Sequence, residues 1–444
     1  MMRWPPFVAA ILSLAFLSPE GPPVTTEGGI ENAIVYGVIP PRFGSPPLQA
    51  VTRNLASLAD LGITTLWLTP IFETPPGDFG YAVIDYLAVR KDYGTRADLD
   101  ALVAEAHRLH LKVLLDLVPN HTSSKHPYFL DAEARGPSSP YFGFYQRDAQ
   151  GSATHYFDWT HLPNLNYAEP AVAHWMTDAS LSWIRTSGID GYRVDAAWGI
   201  RERAPSFWGA WSAELRRARP DVTLIAEASA RDPFYVSHGF DAAYDWTQEP
   251  GHWAWEHVFD DPKGVPERLD RALRETAAIA PAAHVLRFLD NNDTGPRFIT
   301  RHGPGMARVA AAALLTLPGV PCLFTGQEVG AEYEPYGASG AVHFEQGGAL
   351  RDWYKRLIAL RRTRPSLRSR DWTRVASSAP TVYAYVRTAG TEKTLVVLQF
   401  DEHPVNVALD VPHQGTTLSL PGWGVAILES NGSGWRNFVQ PAVW

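Results

Sequence analysis

At 444 residues the chain is long for one compact unit, yet it falls within the range that a barrel of alternating strands and helices reaches. A formal net charge of −8 and a pI near 6.0 leave no basic footprint, which makes nucleic acid a poor candidate partner and leaves a neutral substrate open. The single cysteine, Cys322, sits in the apolar run 320–324 and reads as a buried strand residue, so a disulfide framework is excluded.

Arg3 precedes an apolar run at 7–17, and a polar, proline-rich stretch follows at 18–23, a pattern that resembles a secretory signal or a short membrane anchor. The run is too short to span a bilayer comfortably. The expectation is therefore an exported protein, secreted or periplasmic, with residues 1–29 as leader and flexible junction. From 33 onward, strand-like and helix-like stretches alternate. Strands are expected at 33–40 and 64–70 around a helix at 48–61, and a helix at 96–110 has Thr95 as its cap and Asp98 in its first turn. A third strand starts at Lys112. Between 121 and 170, Pro, Gly, Ser and aromatic residues break the periodicity, as an inserted loop region does. A helix at 169–186 leads to the fourth strand, a helix at 204–218 to a fifth at 223, and a weaker sixth lies at 242–246. Helix 266–280 precedes strand 285–289, helix 306–317 precedes strand 320–324, and a helix at 349–362 ends the series. The count fits an α/β fold, a (β/α)8 barrel over 30–370 with a short insert after strand 3. Beyond it the texture changes to strands at 381–387, 393–399, 405–411 and 424–428, a small C-terminal all-β domain of sandwich type over 371–431, followed by a tail.

Four strands end in polar residues: KVLLDLVPNH (112–121), GIDGYRVDAA (188–197), TLIAEAS (223–229) and VLRFLDNND (285–293). An acid at the C-terminal end of a barrel strand is an active-site pattern, because the strand fixes the acid and the following loop exposes it. Side chains alternate faces along a strand, so Arg193 and Asp195 share one side. The guanidinium is expected to lower the Asp195 pKa and keep it ionised, as suits a nucleophile. Glu227 closes the apolar stretch Leu224, Ile225, Ala226, and such surroundings are expected to raise its pKa, as suits a general acid. That pairing is what a retaining glycosidase needs. Asp116 reads as a partner for Arg193.

With those residues in place the chain resembles the α-amylase family of glycoside hydrolases, glycoside hydrolase family 13. DLVPNH (116–121), GYRVDAA (191–197), AEAS (226–229) and FLDNND (288–293) match four family motifs in order, and LPNLN (162–166) resembles a fifth. The resemblance implies a retaining hydrolase of α-1,4-glucosidic bonds in starch-like glucans or maltooligosaccharides, acting through a covalent glycosyl-enzyme intermediate. It implies Asp195 as nucleophile, Glu227 as acid/base, and Asp293 as the carboxylate that stabilises the oxocarbenium-like transition state. His121 and Arg193 would bind at the cleaved sugar, Tyr81 would stack beneath it, and Asn120 resembles a calcium ligand. A monomer that needs no organic cofactor, with calcium as an open question, is the corresponding expectation. Transfer to another acceptor, action on trehalose, sucrose or α-1,6 bonds, and a non-catalytic binding relative all remain open.

Three departures bear on these roles. Asn292 stands where most relatives carry histidine before the third acid; an amide still donates to a sugar hydroxyl but carries no charge. Phe79 and Ala82 stand near positions where relatives often carry histidine and aspartate, which makes that part of the cleft less polar. Ala197, Trp198 and Gly199 replace a Lys-His pair, and Trp198 offers a flat indole to the apolar face of a sugar. The insert acids Asp131, Asp148 and Asp158 are further candidate calcium ligands without diagnostic spacing. Tyr333, Tyr336 and His302 lie in later loops that bear on substrate access.

Overall fold

The computed structural model describes residues 29–279, 285–337, 340–411, 416–430 and 434–439. The expected leader lies almost wholly outside these residues. Eight parallel strands close a barrel: β1 Val35–Val38, β2 Thr65–Leu68, β3 Lys112–Leu117, β4 Gly191–Val194, β5 Thr223–Ser229, β6 Ala242–Tyr244, β7 Val285–Phe288 and β8 Val320–Phe324. Each strand pairs with its neighbour in sequence, and β8 returns to β1 with Val35 opposite Cys322 and Gly37 opposite Phe324. Helices follow the strands as α1 Pro47–Leu61, α2 Arg96–Arg108, α3 Pro170–Ser187, α4 Ser206–Ala218, α5 Phe234–Ser237, α6 Val265–Ile279, α7 Phe298–Thr316 and α8 Gly348–Thr363. The first turn of α2 is closed by Thr95 and Asp98, each bonding the other's backbone N–H, as its sequence signature predicts.

Strand pleating sorts the side chains into two layers. Tyr36, Leu66, Val113, Leu115, Tyr192, Leu224 and Leu323 face outward into the core shared with the helices. Val35, Trp67, Leu114, Ile225, Tyr244, Leu286, Cys322 and Phe324 fill the barrel. Gly37 makes room for that filling: a Cβ there would stand 2.1 Å from the Phe324 ring, which packs 5.7 Å from Trp67. Asp116, Arg193 and Glu227 have the parity of the inner layer, and register sets Asp116 directly opposite Arg193.

Some elements escape a periodicity reading. A helix, Pro127–Arg135, interrupts the insert, and another, Ala197–Arg203, starts two residues after Asp195. Helix α7 begins eight residues before the expected 306, because Gly303 (φ 76°) and Pro304 kink it and hide the first turn from a periodic pattern. The C-terminal strands β9 Trp372–Ser377, β10 Val382–Ala389, β11 Glu392–Gln399, β12 Val405–Asp410, β13 Thr416–Leu420, β14 Val425–Ser430 and β15 Trp435–Val439 form one hydrogen-bonded series in the order β13-β12-β9-β10-β11-β14-β15. Strand β15 thus extends the sheet into the segment read as a tail. One face of the sheet, with Tyr383, Tyr385, Val396, Leu398 and Ile427, joins the barrel's helical core. The other carries its own apolar cluster, which Val407, Leu409 and Leu420 of β12 and β13 share with Ala384, Val397 and Leu428.

Candidate active site

The C-terminal ends of β3, β4 and β5 converge on Arg193. Its Nη1 donates to Asp116 Oδ1 and Oδ2 at 2.8 and 3.0 Å and to Asp195 Oδ1 at 3.0 Å, while Nε donates to the Tyr244 hydroxyl at 3.0 Å. Nη2 lies 3.1 Å from Glu227 Oε1. The Trp67 indole N–H closes the far side of Asp116 at 2.9 Å, and its ring lies 5.0 Å from the guanidinium carbon. One fully buried cation therefore holds three carboxyls that would otherwise repel one another.

The turn after Asp195 is strained toward the same end. Ala196 adopts φ 45°, ψ 38°, a left-handed conformation uncommon for a residue with a Cβ, and its N–H donates to Glu227 Oε2 at 2.7 Å. This corrects the expectation of apolar surroundings for Glu227, whose two oxygens face a guanidinium and an amide N–H. The expectation for Asp195 is corrected as well. Burial and the neighbouring Glu227 push its pKa well above the usual carboxylate range and outweigh the pull of Arg193. Burial likewise raises Asp116 to about 7 and Asp293 to about 6. Asp116 and Asp195 share the Arg193 guanidinium and Asp293 lies in the same cleft, so these three titrate as a set that retains protons toward neutral pH.

Asp293 approaches from the loop after β7 and opens to the cleft. Its Oδ1 accepts from the Tyr336 hydroxyl at 2.8 Å and from Asn292 Nδ2 at 3.1 Å, and the same amide donates to the hydroxyls of Tyr81 and Tyr336 at 2.8 and 2.7 Å. His121 lies buried in the floor: Nδ1 accepts from Asn120 Nδ2 at 3.1 Å, Nε2 donates to the Tyr81 carbonyl at 3.2 Å, and burial lowers its pKa to about 3. The imidazole is neutral, stacked 4.9 Å from Tyr156. Trp198 stands half-buried with Tyr156 and Phe157 at 5.9 and 5.7 Å. Asp195, Glu227, Asp293, Tyr81, His121 and Trp198 thus surround one cavity of about 450 Å³, with Arg193 beneath it and Asn292 behind Tyr81. Phe157 and Trp159, 61% and 49% exposed, give its mouth an aromatic rim.

Asn120 touches this group only through His121, and its surroundings do not fit calcium. Arg203 Nη2, from the helix Ala197–Arg203, donates to Asn120 Oδ1 at 2.6 Å and to its carbonyl at 3.3 Å. A cation placed on that oxygen would face a guanidinium, so these residues do not fit the calcium ion that the resemblance implied at Asn120. Asp131 is engaged by Ser139 and Arg135, and Asp148 caps its own turn through the N–H groups of Gln150 and Ser152. Among the described residues no three His, Cys, Asp or Glu side chains gather as a metal site would require.

Sequence reasoning assigned no role to Tyr156, Tyr244 or Arg203, and left Tyr336 as one of several loop residues. Tyr244 had a readable signal, since it shares the inner-layer parity of β6. Arg203 and Tyr336 act across loops, where no period reveals a partner.

A family model described as "Alpha amylase, catalytic domain" matches residues 43–374. Alpha-amylase MalA of Haloarcula japonica is 29% identical over 401 residues, covering 87% of this chain and 58% of its own length. A cyclomaltodextrinase of Geobacillus thermopakistaniensis is 27% identical over 396 residues, covering 85% of this chain and 66% of its own. The chain therefore spans about 58–66% of the length of these curated relatives. Among solved structures, the debranching enzyme of Nostoc punctiforme superposes with a TM-score of 0.79 at 21% identity, covering 90% of this chain and 98% of that one. An alpha-amylase of Geobacillus thermoleovorans in complex with acarbose gives 0.76 at 24%, covering 93% and 100%. At these identities the structural likeness speaks for the fold.

Proposed function

The chain belongs to the alpha-amylase family of glycoside hydrolases, and from that premise we propose that it hydrolyses α-1,4-glucosidic bonds of maltooligosaccharides with retention of configuration. The observation that carries this reading is the bridge made by Arg193 between Asp195 Oδ1 and Glu227 Oε1, at 3.0 and 3.1 Å. Oxygens held by neighbouring nitrogens of one guanidinium lie only a few ångströms apart. That spacing supports the separation of about 5–5.5 Å used by retaining enzymes over the roughly 6.5–9.5 Å used by inverting ones.

In this mechanism Arg193 fixes one oxygen of Asp195, and the other attacks the anomeric carbon. Glu227 gives its proton to the departing glycosidic oxygen, and a glycosyl ester forms on Asp195. Glu227 then takes a proton from water as that water attacks the ester, which returns both groups to their starting states. Asp293, held by Asn292 and Tyr336, faces the ring as positive charge develops. Tyr81 lies under the sugar and His121 contacts it as a neutral imidazole. The aromatic lining from Trp198, Trp246 and Trp253 also favours a sugar over water as acceptor, so transfer between oligosaccharides is the second reading. The leader read at 1–29 supports action outside the cytoplasm.

Proton NMR of maltoheptaose turnover tests both. New α-anomeric reducing ends in the first minutes are expected, and Asp195→Asn should lower the rate by about a thousandfold or more while leaving the fold intact. Early β-anomers would refute retention. Changes in chain length without new reducing ends would favour transfer.

A further inference from the structure

The two ends of the cleft differ. Past Trp198 and Trp246 the cavity runs on into a groove of about 200 Å³ lined by Arg201, Ser229, Arg231, Asp232 and Tyr235. Ser229 ends β5 two residues after Glu227, and Arg231 and Asp232 lie on the loop that follows. A leaving group protonated by Glu227 thus has room to extend.

At the opposite end the way is closed by aromatic rings. Tyr336 meets Phe79 edge-on at 4.9 Å between centroids and Tyr81 at 6.4 Å. The same three rings line a separate cavity of about 120 Å³ behind them, so they form a partition one side chain thick between two spaces. Two kinds of contact hold the partition in place. In front, the Tyr336 hydroxyl is bonded to Asp293 and Asn292. From behind, buried Arg42 donates to the carbonyls of Glu334, Gly337 and Gly340 at 2.9, 2.7 and 3.2 Å, which pins the segment that presents Tyr336.

The sugar whose anomeric carbon is attacked must lie between Asp195, Asp293 and Tyr81. Any further sugar attached to its non-reducing end would have to occupy the space of Phe79 and Tyr336. We infer that Phe79 and Tyr336 are specificity-determining residues that admit one sugar on this side of the cleaved bond, so the enzyme removes single glucosyl units from non-reducing ends. This rests on the glycosidase reading and adds to it a substrate class: α-glucosides with a free terminal sugar. Tyr336 also supplies, from the loop after β8, a hydroxyl beside the amide that stands in the histidine position.

The experiment compares p-nitrophenyl α-maltoheptaoside with the same compound carrying a 4,6-O-ethylidene block on its terminal sugar. Wild-type enzyme should release glucose as its first sugar product from the open compound and turn over the blocked one at least about a hundredfold more slowly. The double variant Phe79→Ala/Tyr336→Ala should gain at least about tenfold on the blocked compound, with maltose or longer sugars among the first products. Similar wild-type rates on the two compounds would overturn the inference and leave the glycosidase reading standing. A second measurement needs no turnover: saturation-transfer NMR of Asp195→Asn with maltoheptaose should label the non-reducing terminal ring most strongly. Even labelling along the chain, or none on that ring, overturns the inference. Terminal labelling with no hydrolysis by wild type of either compound would instead sink the glycosidase reading alone.

Discussion

Arg193 holds three carboxyls and Glu328 rests on the hydroxyl of Tyr36, yet burial raises Asp116, Asp195 and Glu328 alike. Glu328 lies just past β8, 2% exposed, with the Tyr36 hydroxyl within 3.1 and 2.9 Å of its two oxygens, and burial raises it to about 7. Asp116 and Asp293 are raised as well. Because the folded-state pKa exceeds the unfolded value of about 4, the stabilising proton is fully in place below pH 4 and is lost as pH rises through about 7. His121 and His126, lowered by burial to about 3 and about 4, act in the opposite sense, and their cost appears only as pH falls below about 6.5. From pH 6.5 to 8 the acids alone remain, so the melting temperature should fall across that window. Glu328→Gln should flatten the decline and add on the order of 1–3 kcal/mol at pH 8, as read by denaturant titration. A wild-type melting temperature that holds level or rises between pH 6.5 and 8 would contradict the assignment.

The insert after β3 shows what one side chain does for an element. Asn120 begins it, touches His121 through its amide nitrogen, and is held by Arg203 through its oxygen. Arg203→Ala leaves a buried carbonyl and an amide oxygen without that donor, a loss of about 2 kcal/mol. It should also weaken substrate binding by loosening His121. Chelation with EDTA should leave the melting temperature of the wild type unchanged, and a drop of several degrees would show that a bound cation, not Arg203, braces the insert. Strands were legible where period and burial agree: the apolar residues of 112–117 and 285–288 have one solution each, and Asp116 follows by parity, whereas Asp293 came from motif register alone. The insert was not, because its helix Pro127–Arg135 buries only Phe129 and Ala132 and leaves little apolar stripe to read. The short strand Thr416–Leu420 alternates Thr, Ser and Leu with one buried residue, too weak a pattern to separate from a turn. The three acids on Arg193, Asp293 beside Asn292, and the Tyr81 wall came from strand ends and motif register, whereas Tyr336 and Arg203 depend on loop paths that local sequence does not encode.

At the scale of the molecule, barrel and sheet share a core, and buried arginines stitch them together. Arg387, from β10, donates to the carbonyls of Thr316 at the end of α7, of Ser369 and of Asp371, while Arg361 of α8 donates to Leu315 and Leu317 at 3.1 Å each. Leu315 and Thr316 lie in the last turn of α7, whose carbonyls the helix itself leaves unpaired. Arg387→Ala should cost about 3 kcal/mol and lower the single melting transition without splitting it. Two separate transitions in the wild type would show that the sheet folds on its own. The seam between β1 and β8 has a consequence in time. Phe79 comes from the first quarter of the chain and Tyr336 from the last, and they meet across strands that pair only once Val35 lies against Cys322. A barrel whose last strand has not yet docked can already hold Asp195 and Glu227 side by side, since Asp195 directly follows β4 and Glu227 lies in its neighbour β5. During refolding, cleavage would then return before the choice of where to cleave: the nascent enzyme would accept blocked chains, and selectivity would mark the instant the ring is complete.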